Sequence, residues 1–168
     1  MKKNEKCITN QNDVYVYFEM MEQIKPDRVL DVGMFLKRIG AISRQVMNTE
    51  IEKKVYLCGV DFMEECKIGV YSTVYDKVMG VTEFLTFVNG QDDTALDKCD
   101  TKYDIAYMMH VDDVLTGEQE RAVWKWLEKN AVYAIIDKAA MIRNYDIITK
   151  HSYKEVTLDQ DNYAIVMF

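Results

Sequence analysis

The sequence predicts an α/β chain folded as a three-layer αβα sandwich, with a mostly parallel sheet closed by a C-terminal antiparallel hairpin. Three observations lead there. Short apolar runs suited to buried strands, among them Val29 to Val32, Val55 to Phe62 and Ala131 to Ile136, alternate with stretches at helical period. The first of these runs carries Asp31-Val32-Gly33, an acidic residue and a glycine where the chain turns from a strand toward a helix. The sequence finishes on two strand-like runs, Glu155 to Leu158 and Tyr163 to Met167, around the turn-rich Asp159-Gln160-Asp161-Asn162, which reads as a hairpin at a sheet edge.

Taken in order, Asn12 or Asp13 is suited to cap a helix whose apolar positions Val14, Tyr17, Phe18, Met21 and Ile24 share a face, and Pro26 ends it. Val29 to Val32 forms the first strand. Leu36, Ile39, Ile42 and Val46 continue at helical spacing, with Gly40 small enough for close packing on the sheet. Val55 to Phe62 is the second strand and delivers Asp61 at its carboxyl end, 28 positions after Gly33, the spacing of a βαβ unit. Ile68 to Tyr75 fits a strand or part of a helix. Glu83 to Val88 is a third strand, closed by Asn89-Gly90 and followed by the polar Gln91-Asp92-Asp93. Tyr103 to Met109 is a fourth, ending at His110. Thr116 and Gln119 stand at the separation of a capping box, opening a helix that places Val123, Trp126 and Leu127 on one face. Trp124 and Trp126 cannot both face inward, which leaves one for a partner interface. A single domain over 1–168 is expected, with 1–12 as a flexible N-terminal segment.

Composition narrows the function. A chain of 168 residues buries roughly 70% of the surface its unfolded form exposes and needs no staples. The 28 acidic residues against 21 basic ones give a net charge of −7, and no basic block is long enough to neutralise a run of phosphates, so nucleic acid is not an expected partner. Cys7, Cys58, Cys66 and Cys99 form neither a C-x-x-C pair nor a ligand cluster with histidine, as expected of reduced thiols. No disulfide and no metal site is predicted. The polar N-terminus and the lack of an apolar run near ~18 residues predict a soluble, cytoplasmic protein with no membrane partner.

The residues that carry chemistry share one location. Asp31, Gly33, Asp61, Asp92 and His110 all fall at carboxyl ends of predicted strands, where an open α/β sheet forms its ligand crevice beside the point of order reversal. An acidic residue and a glycine at the top of the first strand suit a ribose-bearing cofactor. Each residue also has a plainer reading: Asp31 and Asp61 as caps of the following turn, His110 as a polar residue leaving a strand, and Asp112-Asp113 as solvated caps. Lys37-Arg38 could attract an anion near a helix start, or simply occupy an exposed face.

With these residues in view, the chain resembles the class I S-adenosylmethionine (SAM) dependent methyltransferases from Asp13 to Phe168. Val29-Leu30-Asp31-Val32-Gly33 is similar to the first family motif, Gly59-Val60-Asp61-Phe62 to the acidic end of strand two, Gly90-Gln91-Asp92-Asp93 to the third motif, and Tyr103 to Val111 to the fourth. The terminal antiparallel hairpin separates this Rossmann-like methyltransferase fold from a plain dinucleotide-binding domain. The resemblance implies that Asp31, Gly33 and Met34 border the methionine portion of SAM, that Asp61 accepts both ribose hydroxyls, and that Phe62 covers the adenine. It further implies that Asp92 or Asp93 meets the adenine amino group. A carboxylate accepts two hydroxyl donors, and a flat ring offers stacking area to a base.

The departures point elsewhere as well. Met34-Phe35-Leu36-Lys37-Arg38-Ile39 stands where the family pattern expects further glycines, and bulk there could fill the methionine pocket. The fourth motif lacks the Asn-Pro-Pro-Tyr form of base-amino methylases, which favours a small-molecule acceptor or a cell-surface precursor. There is no large insertion to build a lid, so either a second subunit covers the site, as in a homo-oligomer, or the acceptor is itself large. The leading expectation is a SAM-dependent methyltransferase, with His110 or Asp112 as the base where the acceptor must lose a proton. The alternative is a catalytically inactive methyltransferase-like domain serving as a binding or regulatory partner. A nicotinamide-cofactor domain is a weaker third, since G-x-G-x-x-G counted from Gly33 fails at two of three glycines.

Overall fold

The strands of the protein are β1 (Arg28–Gly33), β2 (Val55–Asp61), β3 (Thr82–Asn89), β4 (Tyr103–Met108), β5 (Ala131–Asp137), β6 (Ser152–Leu158) and β7 (Asp161–Met167). In a computed structural model that describes residues 11–33, 55–61, 82–89, 95–99 and 102–168, they form one seven-stranded sheet of order β3-β2-β1-β4-β5-β7-β6. β3, β2, β1, β4 and β5 are mutually parallel, and β7 and β6 run antiparallel at one end. The chain steps outward from β1 through β2 to β3 and then returns to the other side of β1, so the order reverses between β1 and β4. With its helices the sheet makes the expected three-layer αβα sandwich.

Burial explains which runs became central. Val29 to Gly33 is buried throughout, as are Ile105 to Met108 and Ala134 to Asp137, the near-continuous pattern of strands covered on both faces. β6 is the reverse case. It lies at the sheet's edge, is largely exposed, and carries Lys154 and Glu155 there, charges that discourage edge-to-edge pairing.

Four helices are described: α1 (Gln11–Ile24), α2 (Gly117–Asn130), α3 (Lys138–Arg143) and α4 (Tyr145–Ile148). Single 3₁₀ turns cover Leu96–Lys98 and Val111–Asp113. The first helix already includes Gln11 and Asn12, within the segment expected to be flexible. Asn12 does not cap it; its side-chain amide donates to Asp161 at 2.8 Å and ties the helix start to β7. Lys25, at a φ of 50°, turns the chain out of the helix ahead of Pro26. The capping box before α2 is formed as expected: Thr116 Oγ1 accepts from the Gln119 backbone N–H, and Gln119 Oε1 accepts from the Thr116 N–H at 2.9 Å. At the opposite rim, Asp104 accepts from the backbone N–H groups of Asp27 and Arg28 at 2.7 and 2.9 Å, which pins the start of β1 against β4.

One face of the sheet, carrying Leu30, Val32, Cys58, Val60, Ala106, Met108, Ala134, Ile136, Ala164 and Val166, packs with Val123, Trp124 and Leu127 of α2. The sequence reading put Trp126 in that stripe. The structure puts Trp124 in the core as well, fully buried: at ~100° per residue 124 and 126 lie on either side of 123 and 127, and the core takes in the 124 side while Trp126 packs against its margin. Trp126 is nevertheless half-buried, its ring 6.1 Å from that of Tyr103, so intramolecular packing accounts for both tryptophans. The hairpin also differs in detail. Its strands are longer than expected and its turn is confined to Asp159 and Gln160, with Asp159 at a φ of 53°. α3 and α4 had no counterpart in the sequence reading, since so few residues give no helical period to detect. Cys58 and Cys99 are both buried, and the Cys99 thiol donates to the Ala95 carbonyl at 3.5 Å. The predicted helix through Leu36 to Val46, the Ile68 to Tyr75 segment, Cys7 and Cys66 lie outside the described residues. Among the described residues no helix is long and apolar enough to cross a membrane.

The difference between the two tryptophans is measurable. Trp124→Ala is expected to cost about 3–5 kcal/mol in urea unfolding, and Trp126→Ala clearly less, because only the first vacates a fully enclosed site. Equal losses would refute this assignment of the α2 core face.

Candidate functional site

Parallel strands bring their carboxyl ends to one rim of the sheet, and the predicted residues that are described collect there. Register sets Asp31 beside Gly59 and Gly33 beside Asp61, with Tyr107 of β4 on the other flank of Asp31. Because side chains alternate along a strand, Asp31 occupies the face opposite the one that α2 covers, and Gly33 and Gly59 lie at the same positions of the pleat. Asp31 is fully buried, and its register neighbour Gly59 has no side chain to crowd it. Gly33 leaves the strand at a φ of 120°. Residues with a Cβ avoid that conformation, which lets bare backbone face whatever occupies the rim.

Across the order reversal, β4 ends at Met108 and His110 takes up a left-handed conformation, φ 56° and ψ 36°, before the Val111–Asp113 turn. For a non-glycine residue this costs on the order of 1 kcal/mol, and the neighbouring strand supplies what holds it. Asp137, the last residue of β5, accepts the His110 backbone N–H through Oδ2. Its other oxygen accepts the Ala140 N–H at 2.8 Å and caps α3. The His110 Nδ1 lies 3.8 Å from the same Oδ2; the imidazole is 42% exposed and the Asp137 carboxylate 10%.

The far end of α3 grips the same turn. Arg143 Nη1 is 3.4 Å from Asp112, while its Nε and Nη2 donate to Glu120 of α2 at 3.0 and 3.2 Å. The Asn144 amide adds a bond to Glu120 at 2.7 Å and one to the Ala140 carbonyl at 2.9 Å. Glu120 is only 3% exposed, yet its carboxylate is met by three donors, as a buried charge requires. Burial works against the Arg143 charge, but the bonds to Glu120 and the negative charges of Glu120, Asp112 and Asp137 outweigh it and raise the guanidinium pKa. Asp112 thus stands in an ion pair while remaining exposed.

A cleft of about 190 Å³ adjoins His110. Asp137, Lys138 and Ala139 bound it on one side, and Gln160 to Tyr163 of the hairpin on the other. The hairpin can reach this rim because β7 runs antiparallel: it begins where the parallel strands end, with Tyr163 opposite Asp137. Of the predicted site residues, Asp31, Gly33 and Asp61 therefore come together, His110 lies across the reversal from them, and Asp112 is turned to Arg143. Met34, Phe62, Asp92 and Asp93 lie outside the described residues. The sequence reading missed Asp137, Glu120 and Arg143. Asp137 left a signal, being an acidic residue between the apolar run Ala131 to Ile136 and the helix-forming Lys138-Ala139-Ala140-Met141. The Glu120–Arg143 pair left none, because 23 residues separate its members.

No family model and no curated protein matches the sequence. Solved structures do match it. An O-methyltransferase from Bacillus cereus in complex with SAH superposes with a TM-score of 0.65 at 10% identity, over 95% of this chain and 82% of that one. The O-methyltransferase TomG from Streptomyces achromogenes, involved in tomaymycin synthesis and solved with SAM, gives 0.62 at 10% identity over 93% and 79%. An SAH-bound methyltransferase from Podospora anserina gives 0.60 at 9% identity over 92% and 76%. The fold is thus the Rossmann-like fold of class I SAM-dependent methyltransferases.

Two substitutions test the geometry of the rim. Glu120→Ala leaves Arg143 and Asn144 without their shared acceptor and is expected to cost about 2–4 kcal/mol in chemical denaturation, with partial exposure of Arg143 holding it below the full penalty for a broken buried pair. Gly33→Ala is expected to lower stability by about 1–3 kcal/mol, read as a fall in melting temperature. An unchanged melting temperature would mean that the backbone at Gly33 does not have a positive φ.

Proposed function

We propose that this protein binds SAM at the carboxyl ends of β1, β2 and β4 and methylates a small molecule. The observation that carries the reading is Gly33, at a φ of 120°, with Asp61 beside it in register and buried Asp31 two residues before it on the same face, at the reversal of strand order. A bare backbone turn flanked by carboxylates fits a ligand that brings a hydroxylated sugar and a flexible charged chain to one rim. Asp61 is the acceptor for the ribose hydroxyls, and Asp31 and Gly33 border the methionine end. Met34 continues that border. Phe62 is assigned to the adenine face, and Asp92 or Asp93 to its amino group.

When bound, SAM supplies an electrophilic methyl on a sulfonium. What remains for the chain is mostly alignment, since displacement at that carbon requires the nucleophile in line. His110, across the reversal from Gly33, is the candidate base for an acceptor that must lose a proton. Asp112 is the second candidate; its carboxylate lies 3.4 Å from Arg143 Nη1 and does not line the cleft beside His110. The 190 Å³ cleft beside His110 is below the roughly 300 Å³ at which pockets for drug-sized ligands begin, so it suits a small acceptor. The net charge of −7 disfavours a polyphosphate backbone.

The second reading, a non-catalytic relative that acts as a binding or regulatory partner, is favoured by Met34-Phe35-Leu36 where glycines would ease ligand approach. Calorimetry separates the two. SAM and its demethylated product are expected to bind the intact protein. Asp61→Ala is expected to weaken both by roughly 10- to 100-fold, the worth of charge-assisted hydrogen bonds to a ribose. Absence of binding at millimolar ligand would overturn the methyltransferase reading in favour of the partner role.

A further inference from the structure

We propose that Lys138 sets the acceptor specificity of this protein: its ammonium pairs with a carboxylate on the acceptor, so the cleft beside His110 takes small carboxylic acids in preference to neutral or cationic compounds of the same size. The inference rests on the methyltransferase reading of this rim and deepens it by naming the chemical class that the cleft admits.

Lys138 is exposed and lines the cleft as the first residue of α3, directly after Asp137. None of the ion pairs among the described residues includes it, so its three N–H donors are left to solvent or to a ligand. The carboxylates on the same walls are already engaged. Asp137 accepts the His110 N–H through Oδ2 and the Ala140 N–H through Oδ1, and Asp161 accepts the Asn12 amide at 2.8 Å. On the hairpin side the Asn162 amide oxygen takes the Thr157 hydroxyl at 2.8 Å, which leaves the amide nitrogen as a further donor. Both carboxylates of the cleft thus have protein donors, while its ammonium has no protein acceptor. The complement of such a lining is a group that only accepts, and a carboxylate is one.

The charge of the whole chain sharpens the point. At −7 it repels anions at long range, so an anionic acceptor needs a cation of its own at the site. Among the described residues that line the cleft, Lys138 is the only lysine or arginine; Arg143, at the other end of α3, is committed to Glu120 and Asp112. The helix gains nothing from a lysine in this place. A cation in the first turn opposes the peptide dipoles, and α2 opens on Glu118 and Glu120 instead. A single ammonium suits a singly charged carboxylate better than a phosphate ester, whose additional charge and oxygens call for clustered cations.

Benzoate and its uncharged isostere benzamide are the probes, titrated into ¹⁵N-labelled protein and followed at the backbone amides of His110, Ala139 and Tyr163. Benzoate is expected to shift these signals and to bind roughly fivefold to tenfold more tightly than benzamide, the worth of one partly exposed charged pair. Lys138→Gln is expected to bring benzoate down to the affinity of benzamide, and Lys138→Arg to keep the preference. Lys154→Gln, which removes an exposed cation of β6 that does not line the cleft, is expected to leave the preference intact. Both lysines are exposed, so these changes do not threaten the fold. Equal binding of the two probes, no shift at the three amides, tighter binding of benzylamine or inorganic phosphate than of benzoate, or a preference that survives Lys138→Gln would overturn the proposal. Calorimetry with SAM keeps the underlying reading separate. SAM binding without a carboxylate preference sinks only the role of Lys138, and the preference without SAM binding sinks the methyltransferase reading while leaving Lys138 as an anion contact.

Discussion

The short helix α3 is held at both ends by the groups it holds in turn. Asp137 caps its first turn and takes the His110 N–H; Arg143, at its last residue, reaches Asp112 and Glu120. A six-residue helix has no stability of its own, because nucleation alone exceeds what so few hydrogen bonds return. It exists because these charged contacts and the burial of Ala140 fix it against the sheet. The 110–113 turn is in the same position, carrying a left-handed histidine that only an outside acceptor makes tolerable. Each unstable piece supplies the partner that the other lacks, and the rim of the sheet beside β4 keeps its shape for that reason.

The sheet decides what this rim can do. Reversal of strand order after β1 opens a crevice between β1 and β4, and the parallel arrangement sends Asp31, Gly33, Asp61, His110 and Asp137 to the same end of the molecule. On the β2 side of the reversal lie Gly33, with its bare backbone, the buried carboxylate of Asp31, and Asp61 beside Gly33 in register. On the β5 side lie an imidazole, the carboxylate that grips it and a small cleft. The antiparallel hairpin completes that second half, since only a strand running opposite to β5 can place the β6–β7 turn at the carboxyl ends.

Much of this was legible in the residues. Val29 to Gly33 reads as a central strand because every position tolerates burial, and the carboxyl-end location of Asp31, Gly33, Asp61 and His110 follows once the strands are taken as parallel. Thr116 and Gln119 announce their capping box outright. Where the reading went astray, a neighbour in space had overruled a neighbour in sequence. Asn12 reads as a cap but donates to Asp161. Trp124 and Trp126 read as rivals for one inward face, yet Trp124 is fully buried and Trp126 packs against the same core beside Tyr103. Asp112, two residues from His110, has as its ion-pair partner Arg143, 31 positions away, which no local pattern announces.

By itself, then, the chain determined its layers and its strand ends, because hydrophobic period and turn chemistry are local quantities that a run of five to ten residues already contains. Only the tertiary structure decided which charged groups face one another: the grip of Asp137 on His110, and of Glu120 on Arg143. Coulombic and hydrogen-bonded partners carry no period and no required spacing in sequence. Their choice is made by whichever strand and helix the fold happens to set side by side, at distances where a carboxylate removed from water must find a donor.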